Sequence, residues 1–203
     1  MNRIVLATGN PGKVREFSEL LADLPIEIVP QSNLRVPEAE ETGLTFVENA
    51  ILKARNAAAH TQLPALADDS GIEVDALLGQ PGVRSARYAG PDARSDDNLA
   101  KLLRELQGIP ESQRSARFRC VLVLLRHSAD PAPLICMGAW AGRILESPVG
   151  AGGFGYDPVF WVPERDCSAA QLSSTDKNRI SHRAKAMASL RQALAGDDVP
   201  RLR

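Results

Sequence analysis

The chain has 203 residues, 24 Lys plus Arg against 25 Asp plus Glu, and a formal net charge of -1. Hydrophobic residues at 44% and charged residues at 24% give the balance of a soluble globular protein and exclude a disordered one. The even charge excludes an overall electrostatic footprint for duplex DNA or an anionic membrane, and 4% aromatics leave few rings for single-strand stacking.

Ile4-Val-Leu-Ala7 reads as a buried strand that enters a turn at Thr8-Gly9-Asn10. Val14, Phe17, Leu20, Leu21 and Leu24 recur at helical spacing, and Pro25 predicts the helix stop. Ile26–Val29 predicts a second strand, and the acidic, Pro-punctuated stretch from Pro30 to Thr42 a loop. Thr45-Phe-Val-Glu48 has capping-box spacing, and Leu44, Val47, Ala50, Ile51, Ala54 and Ala58 form an apolar face. Asn49, Lys53 and Asn56 share the other face. Ala65–Ala67 predicts a short buried strand running into Asp68-Asp69-Ser70-Gly71, and Ile72, Val74 and Ala76 alternate as a half-exposed strand. Gly79–Gly90 predicts a long surface loop, followed by a helix capped by Asp96 or Asp97. Phe118–Leu125 and Leu134–Trp140 flank an Asp130-Pro131 turn, most simply an antiparallel hairpin. A glycine-rich loop at Gly150–Gly155 precedes the strand Val159–Val162, and a last helix is predicted from Asp176 to Ala195. The order of elements implies an α/β fold with a mixed sheet.

Cys120, Cys136 and Cys167 have no C-x-x-C pairing and no zinc spacing, so buried small hydrophobes in a reducing compartment are expected. The aliphatic run Cys120–Leu125 is far shorter than the ~20 residues of a bilayer span. Gly9 and Asn10 interrupt the N-terminal apolar stretch before a signal-peptide core forms, so the expected compartment is the cytoplasm.

Four constellations carry chemistry. Thr8-Gly9-Asn10-Pro11-Gly12-Lys13 sets a small-residue turn and a Lys between strand and helix. Free backbone N–H groups, the helix dipole and an ammonium there make an anion site. It is not a Walker A loop, because Gly9 and Gly12 are too close and Val14 replaces the hydroxyl. An ordinary tight turn with a solvated Lys is the plain alternative. Asp68 and Asp69 end a buried strand, where open α/β sheets bind ligands, and their hard oxygens suit Mg²⁺. Adjacent acids on a strand point to opposite sides and so should do different work, unless they only form an Asx-type turn. Glu38, Glu40 and Glu41 in the preceding loop are further candidate ligands or merely a solvated acidic loop. Gly152-Gly153-Phe154-Gly155-Tyr156-Asp157-Pro158 lets backbone approach a flat ligand, with Phe154 or Tyr156 to stack on a base. A hairpin with two core aromatics is the alternative. Lys177 and Ser181-His182-Arg183 supply donors near the start of the last helix, or a solvated basic face.

Taken in order, Thr8–Lys13, Glu40-Glu-Thr-Gly43, Ala67-Asp-Asp-Ser-Gly71, Phe154-Gly-Tyr-Asp-Pro158 and Ser181-His-Arg183 closely resemble the inosine/xanthosine triphosphate pyrophosphatase family, the non-canonical purine nucleoside triphosphate pyrophosphatases. Phe46–Arg55 and Ser85–Tyr88 also fit its pattern, and the likeness runs from Ile4 to about Leu194 with no departure at a motif position. The resemblance implies a two-lobed α/β fold, a long mixed sheet flanked by helices and an active-site cleft between lobes. One domain at 1–196 and a tail at 197–203 are expected. It implies cleavage of ITP, dITP and XTP between the α and β phosphates, with Mg²⁺ and a homodimer, and neither nucleic acid nor membrane as partner. Asp69 matches the family's catalytic acid. Thr8, Gly9, Asn10, Pro11, Gly12 and Lys13 match the substrate-binding turn, and Lys53 is expected to take up leaving-group charge. Ser70, Phe154, Gly155, Tyr156, Asp157, Lys177, His182 and Arg183 are implied to line the nucleotide pocket. Asp69 with Glu40, Glu41 and Asp68 are the candidate metal ligands. The alternatives are a septum-type pyrophosphatase for dTTP, UTP or modified pyrimidine triphosphates, expected to lack the Phe154–Asp157 and Ser181–Arg183 motifs, and a non-catalytic nucleotide-sensing module.

Overall fold

The apolar runs at Ile4–Ala7 and Cys120–Leu125 supply both faces of one sheet, which fixes where the helices must lie. The computed structural model describes residues 2–23 and 26–195. In chain order they form β1 (Asn2–Ala7), α1 (Pro11–Leu21), β2 (Ile26–Pro30), α2 (Phe46–Thr61) and β3 (Ala65–Val74). Then come α3 (Ser95–Glu105), β4 (Ser115–Leu125), β5 (Leu134–Ile144), β6 (Phe160–Val162), β7 (Cys167–Ser168), α4 (Ser174–Ile180) and α5 (His182–Ala195). The strands make one seven-stranded sheet in the order β2-β1-β3-β4-β5-β6-β7. β1 is parallel to β2 and β3, whereas β6 is antiparallel to β5 and β7, so the sheet is mixed as expected.

The described residues divide into two compact units, the first comprising those within 2–69, 120–138 and 184–195, the second Ser70–Arg119 and Ala139–Arg183. In the first, strand alternation sorts the core into two layers. Ile4, Leu6, Leu66, Cys120, Leu122 and Leu124 pack with Phe17 and Leu21 of α1 and Met187 and Leu190 of α5. Val5, Ala7, Ala65, Ala67, Val121 and Val123 face Ala50, Ala54, Ala57 and Ala58 of α2. The methyl-sized side chains of that second layer let α2 approach the sheet closely. The second unit has one core, in which Ile72 and Val74 of β3, Leu99, Leu102 and Leu106, Phe118 and Trp140 meet Phe160 and Val162.

Several expectations change. Ala65–Val74 is one continuous strand through the acidic pair, with only Ser70 and Glu73 less than fully buried. The loop expected at 79–90 contains a 3-10 segment, Gly82–Arg87. Asp97 is the third residue of α3 and not its cap; its carboxylate accepts from the Arg94 amide at 2.9 Å. The last helix is two, because Ser181 is extended (ψ 163°) and interrupts the ladder with a residue type that favours helix starts. Strand β7 carries no periodic signal at two residues, and Cys167 within it is only half-buried, unlike Cys120 and Cys136. Leu24, Pro25 and the expected tail at 197–203 lie outside the described residues.

Candidate active site

In the first unit, the register Ala7–Ala67 between parallel β1 and β3 sets the turn after β1 beside Asp68. Asn10 caps α1: its Oδ1 accepts from Gly12 N at 2.9 Å and Lys13 N at 3.1 Å, and Pro11 at the first helical position has no N–H to satisfy. Asn10 N in turn donates to Thr8 Oγ1 at 3.2 Å. This corrects the expectation of free amides at the helix start, since the Gly12 and Lys13 donors are already taken by the cap. The charged group that the turn offers an anion is the Lys13 ammonium. A Cβ at Gly9 would fall 2.0 Å from Glu38 Oε1, so a larger residue there would have to turn the exposed Glu38 side chain aside.

The adjacent acids diverge as strand geometry demands. Asp68 is fully buried and lies 2.5 Å from Lys13 Nζ, and its Oδ2 accepts from Cys120 Sγ at 3.3 Å. Asp69 turns toward α2, whose start is fixed by a complete Thr45–Glu48 capping box. There Lys53 Nζ bonds Asp69 at 2.6 Å and Glu41 at 3.0 Å. Burial pushes the Asp69 carboxyl above its ordinary range, and the Lys53 and Lys13 ammonium groups only partly offset this. For Lys53 burial works the other way, but Asp69, Glu41 and Asp68 together hold its proton more firmly than usual.

Glu41 and Asp69 each present an oxygen to the one point now taken by an ammonium. Two hard carboxylates at a cation position fit Mg²⁺, which takes one or two carboxylates, waters and substrate phosphates. Glu40 and Asp68, expected as alternatives, do not join that pair. Asp68 is engaged with Lys13 and Cys120, and the Glu40 side chain has no hydrogen bond or ion pair among the described residues. No group of three His, Cys, Asp or Glu converges among the described residues.

In the second unit, Asp157 organises the glycine loop. Its Oδ2 accepts from Phe154 N at 2.8 Å and from Lys177 Nζ at 2.7 Å, with both charged side chains buried. Gly153 has φ +71°, and a Cβ there would meet Asp157 Oδ2 at 2.1 Å, so the loop cannot close on its carboxylate with another residue. Phe154 is 36% exposed; Lys177 Nζ lies 4.7 Å and Arg183 Cζ 5.9 Å from its ring centre. Tyr156 is buried and donates its hydroxyl to Ser85 O at 2.8 Å, so it is a strut and Phe154 is the open ring. Ser85 Oγ also accepts from Ile72 N at 2.9 Å and donates to Gly82 O at 2.6 Å. His182 is buried and stacks on Phe118 with ring centres 4.8 Å apart. Arg183 is also buried, and its guanidinium lies 3.5 Å from Ser70 Oγ.

Two roles escaped the sequence reading. The Cys120 thiol had no signal, since nothing in an aliphatic run marks one position as opposite a carboxylate. Ser85 lay in a stretch read as loop, although Gly82 and Pro81 beside it were visible turn residues.

Comparison with known proteins bears on the chain as a whole. The Ham1 family profile matches residues 4–193. The dITP/XTP pyrophosphatase of Thioalkalivibrio sulfidiphilus is 62% identical over 194 residues, 96% of this chain and 99% of that protein. That of Vibrio cholerae is 58% identical over 194 residues, 96% of this chain and 97% of its own length. A HAM1 protein structure from Coxiella burnetii superposes with TM-score 0.89 at 52% identity, covering 96% of this chain and 98% of that one. The Staphylococcus aureus Ham1 protein gives 0.85 at 40% identity, covering 97% and 100%.

Proposed function

The chain belongs to the Ham1 family, and from that premise we propose that it hydrolyses ITP, dITP and XTP to the monophosphate and pyrophosphate, removing altered purines from the precursor pool. The observation that carries the reading is the pair of consecutive acids on β3, one paired with Lys13 and the other with Lys53, which also holds Glu41. Two cations among three carboxylates suit a polyanion that is bound with a divalent metal and whose cleavage moves negative charge onto a leaving group.

Water attacks the α-phosphorus in line, the bond to the α–β bridging oxygen breaks, and pyrophosphate leaves with that electron pair. Asp69, a carboxyl with elevated proton affinity, orients the water and takes its proton. Lys13 and Lys53 meet the charge that accumulates on the leaving group. Asp69 and Glu41 would hold Mg²⁺, which when bound neutralises phosphate charge and helps align it. The second unit's residues suit the purine. Phe154 presents a ring face for stacking, and Lys177 and Arg183 bring donors that favour a carbonyl at position 6 over an amino group.

The reading further takes the protein as a homodimer in the cytoplasm, with neither nucleic acid nor membrane as partner. No helix among the described residues is long and apolar enough to cross a membrane. The test is a panel of triphosphates with Mg²⁺, assayed separately for pyrophosphate and orthophosphate. Pyrophosphate from ITP, dITP and XTP supports the reading. Turnover confined to dTTP or UTP, or binding of ITP without pyrophosphate release, overturns it. Size-exclusion chromatography tests the dimer.

A further inference from the structure

The Cys120 thiol on β4 is a fully buried hydrogen-bond donor that the proposed chemistry leaves unused. Its neighbours in the core are apolar, among them Leu6, Phe17, Leu66 and Leu122, so packing alone would be served as well by a hydrocarbon of its size. Yet its Sγ faces Asp68 Oδ2 at 3.3 Å. Asp68 is itself fully buried, and its other oxygen lies 2.5 Å from Lys13 Nζ. A carboxylate out of water needs donors at both oxygens, and an S–H, weak toward neutral acceptors, bonds an anion more strongly. We propose that Cys120 is a positioning residue: its S–H fixes the Asp68 carboxylate, and Asp68 in turn sets where the Lys13 ammonium meets phosphate. The inference rests on reading Lys13 as the phosphate-binding cation. It acts through Asp68 and touches no substrate itself.

Serine and valine at position 120 separate this role from packing. Serine keeps a donor but fits an apolar core poorly; valine keeps apolar bulk on a β-strand and has no donor. If the thiol positions Asp68, Cys120→Ser holds KM for ITP and the dissociation constant of Mg-pyrophosphate within about twofold of wild type. Cys120→Val then raises both about three- to tenfold, with kcat less affected. Thermal stability follows the opposite order, valine above serine. The S–H stretching band, isolated by subtracting the Cys120→Val infrared spectrum, lies below that of an unbonded thiol and shifts back in Asp68→Asn. Should the valine protein fail to fold, Cys120→Ala replaces it with the same expectation for binding. A valine or alanine enzyme that binds pyrophosphate like wild type overturns the inference, as does a serine enzyme that loses binding equally. Lys13→Ala is measured alongside. Unchanged pyrophosphate binding in that variant overturns the phosphate-site reading itself, whereas a large loss there with a wild-type valine enzyme overturns the Cys120 inference alone.

Discussion

Replacing Asp157 by alanine should cost the protein both stability and recognition of the base. The Asp157–Lys177 pair is 2.7 Å long with side-chain exposures of 3% and 8%, which places it among buried ion pairs. A surface pair is worth about 0–1 kcal/mol, but removing one partner of a buried pair costs about 3–5 kcal/mol, because the remaining charge is left desolvated. In a chain of 150–250 residues each kcal/mol moves Tm by about 2–4 °C, so the fall should be about 6–20 °C. The Phe154 amide loses its acceptor at the same time. The ring that this bond orients should then be misplaced, and KM for ITP should rise more than the inhibition constant of Mg-pyrophosphate. Differential scanning fluorimetry gives the first quantity and steady-state pyrophosphate release the second. Combining Asp157→Ala with Lys177→Met removes the stranded ammonium, so the double variant should be more stable than the sum of the single losses by about 2 kcal/mol. A Tm drop below about 3 °C, or additivity in the cycle, refutes the view that this pair holds the glycine loop.

Asp69→Asn should leave Tm and nucleotide binding close to wild type and abolish turnover; more than a tenth of the wild-type rate at saturating Mg²⁺ would remove Asp69 from the central role. Arg183→Ala should lower kcat/KM for ITP about tenfold or more beyond its effect on ATP; equal losses would assign Arg183 to the phosphates or the fold. Asp130, buried in the turn between β4 and β5, accepts from Arg126 and from the Ala132 amide, and Arg126 holds its carboxyl well below the ordinary range. A depressed folded-state pKa contributes stability that is complete above the unfolded value of about 3.9 and is lost as pH falls toward the folded one. The urea-unfolding gap between wild type and Asp130→Asn should therefore be about 2 kcal/mol at pH 7 and narrow below about pH 4. A gap that is constant with pH would mean that the charge is not what matters there.

The parts of the fold with strong local signals were readable from the chain. Ile4–Ala7, the Thr45–Glu48 box and the alanine face of α2 each carry a period or a cap that short-range physics specifies on its own. The alternation rule also separated Asp68 from Asp69 before any coordinates, since a strand cannot aim neighbours at one face. What the sequence left open depended on long-range choices. The sequence offered three loop acids near Lys53, and only tertiary packing selects Glu41 for the ammonium, lays Glu38 on Gly9 and leaves Glu40 aside. Phe154 and Tyr156 were equivalent as aromatic residues two apart, until the Ser85 carbonyl claimed one hydroxyl. His182 read as a donor because imidazole is polar, and nothing in the sequence announced the Phe118 ring that stacks on it at 4.8 Å. The break at Ser181 went unread because apolar spacing continues across it.

The ties made by Ser85 have a consequence for how variants of this protein will be scored. One residue joins Ile72 of β3, the Gly82 carbonyl and, through its own carbonyl, the hydroxyl of Tyr156, two residues beyond Phe154. Losing its hydroxyl leaves the buried Ile72 amide without that acceptor, a cost of about 1–3 kcal/mol, and removes the Gly82 tie that helps fix where the Ser85 carbonyl meets Tyr156. A mutational scan read only by product formation would rank position 85 beside Asp157 and Lys177. The same scan read by protein abundance would class it with the core. Position 85 would thus fall in different categories according to the readout, and disagreement between the two scans is itself the mark of a residue that works by holding others still.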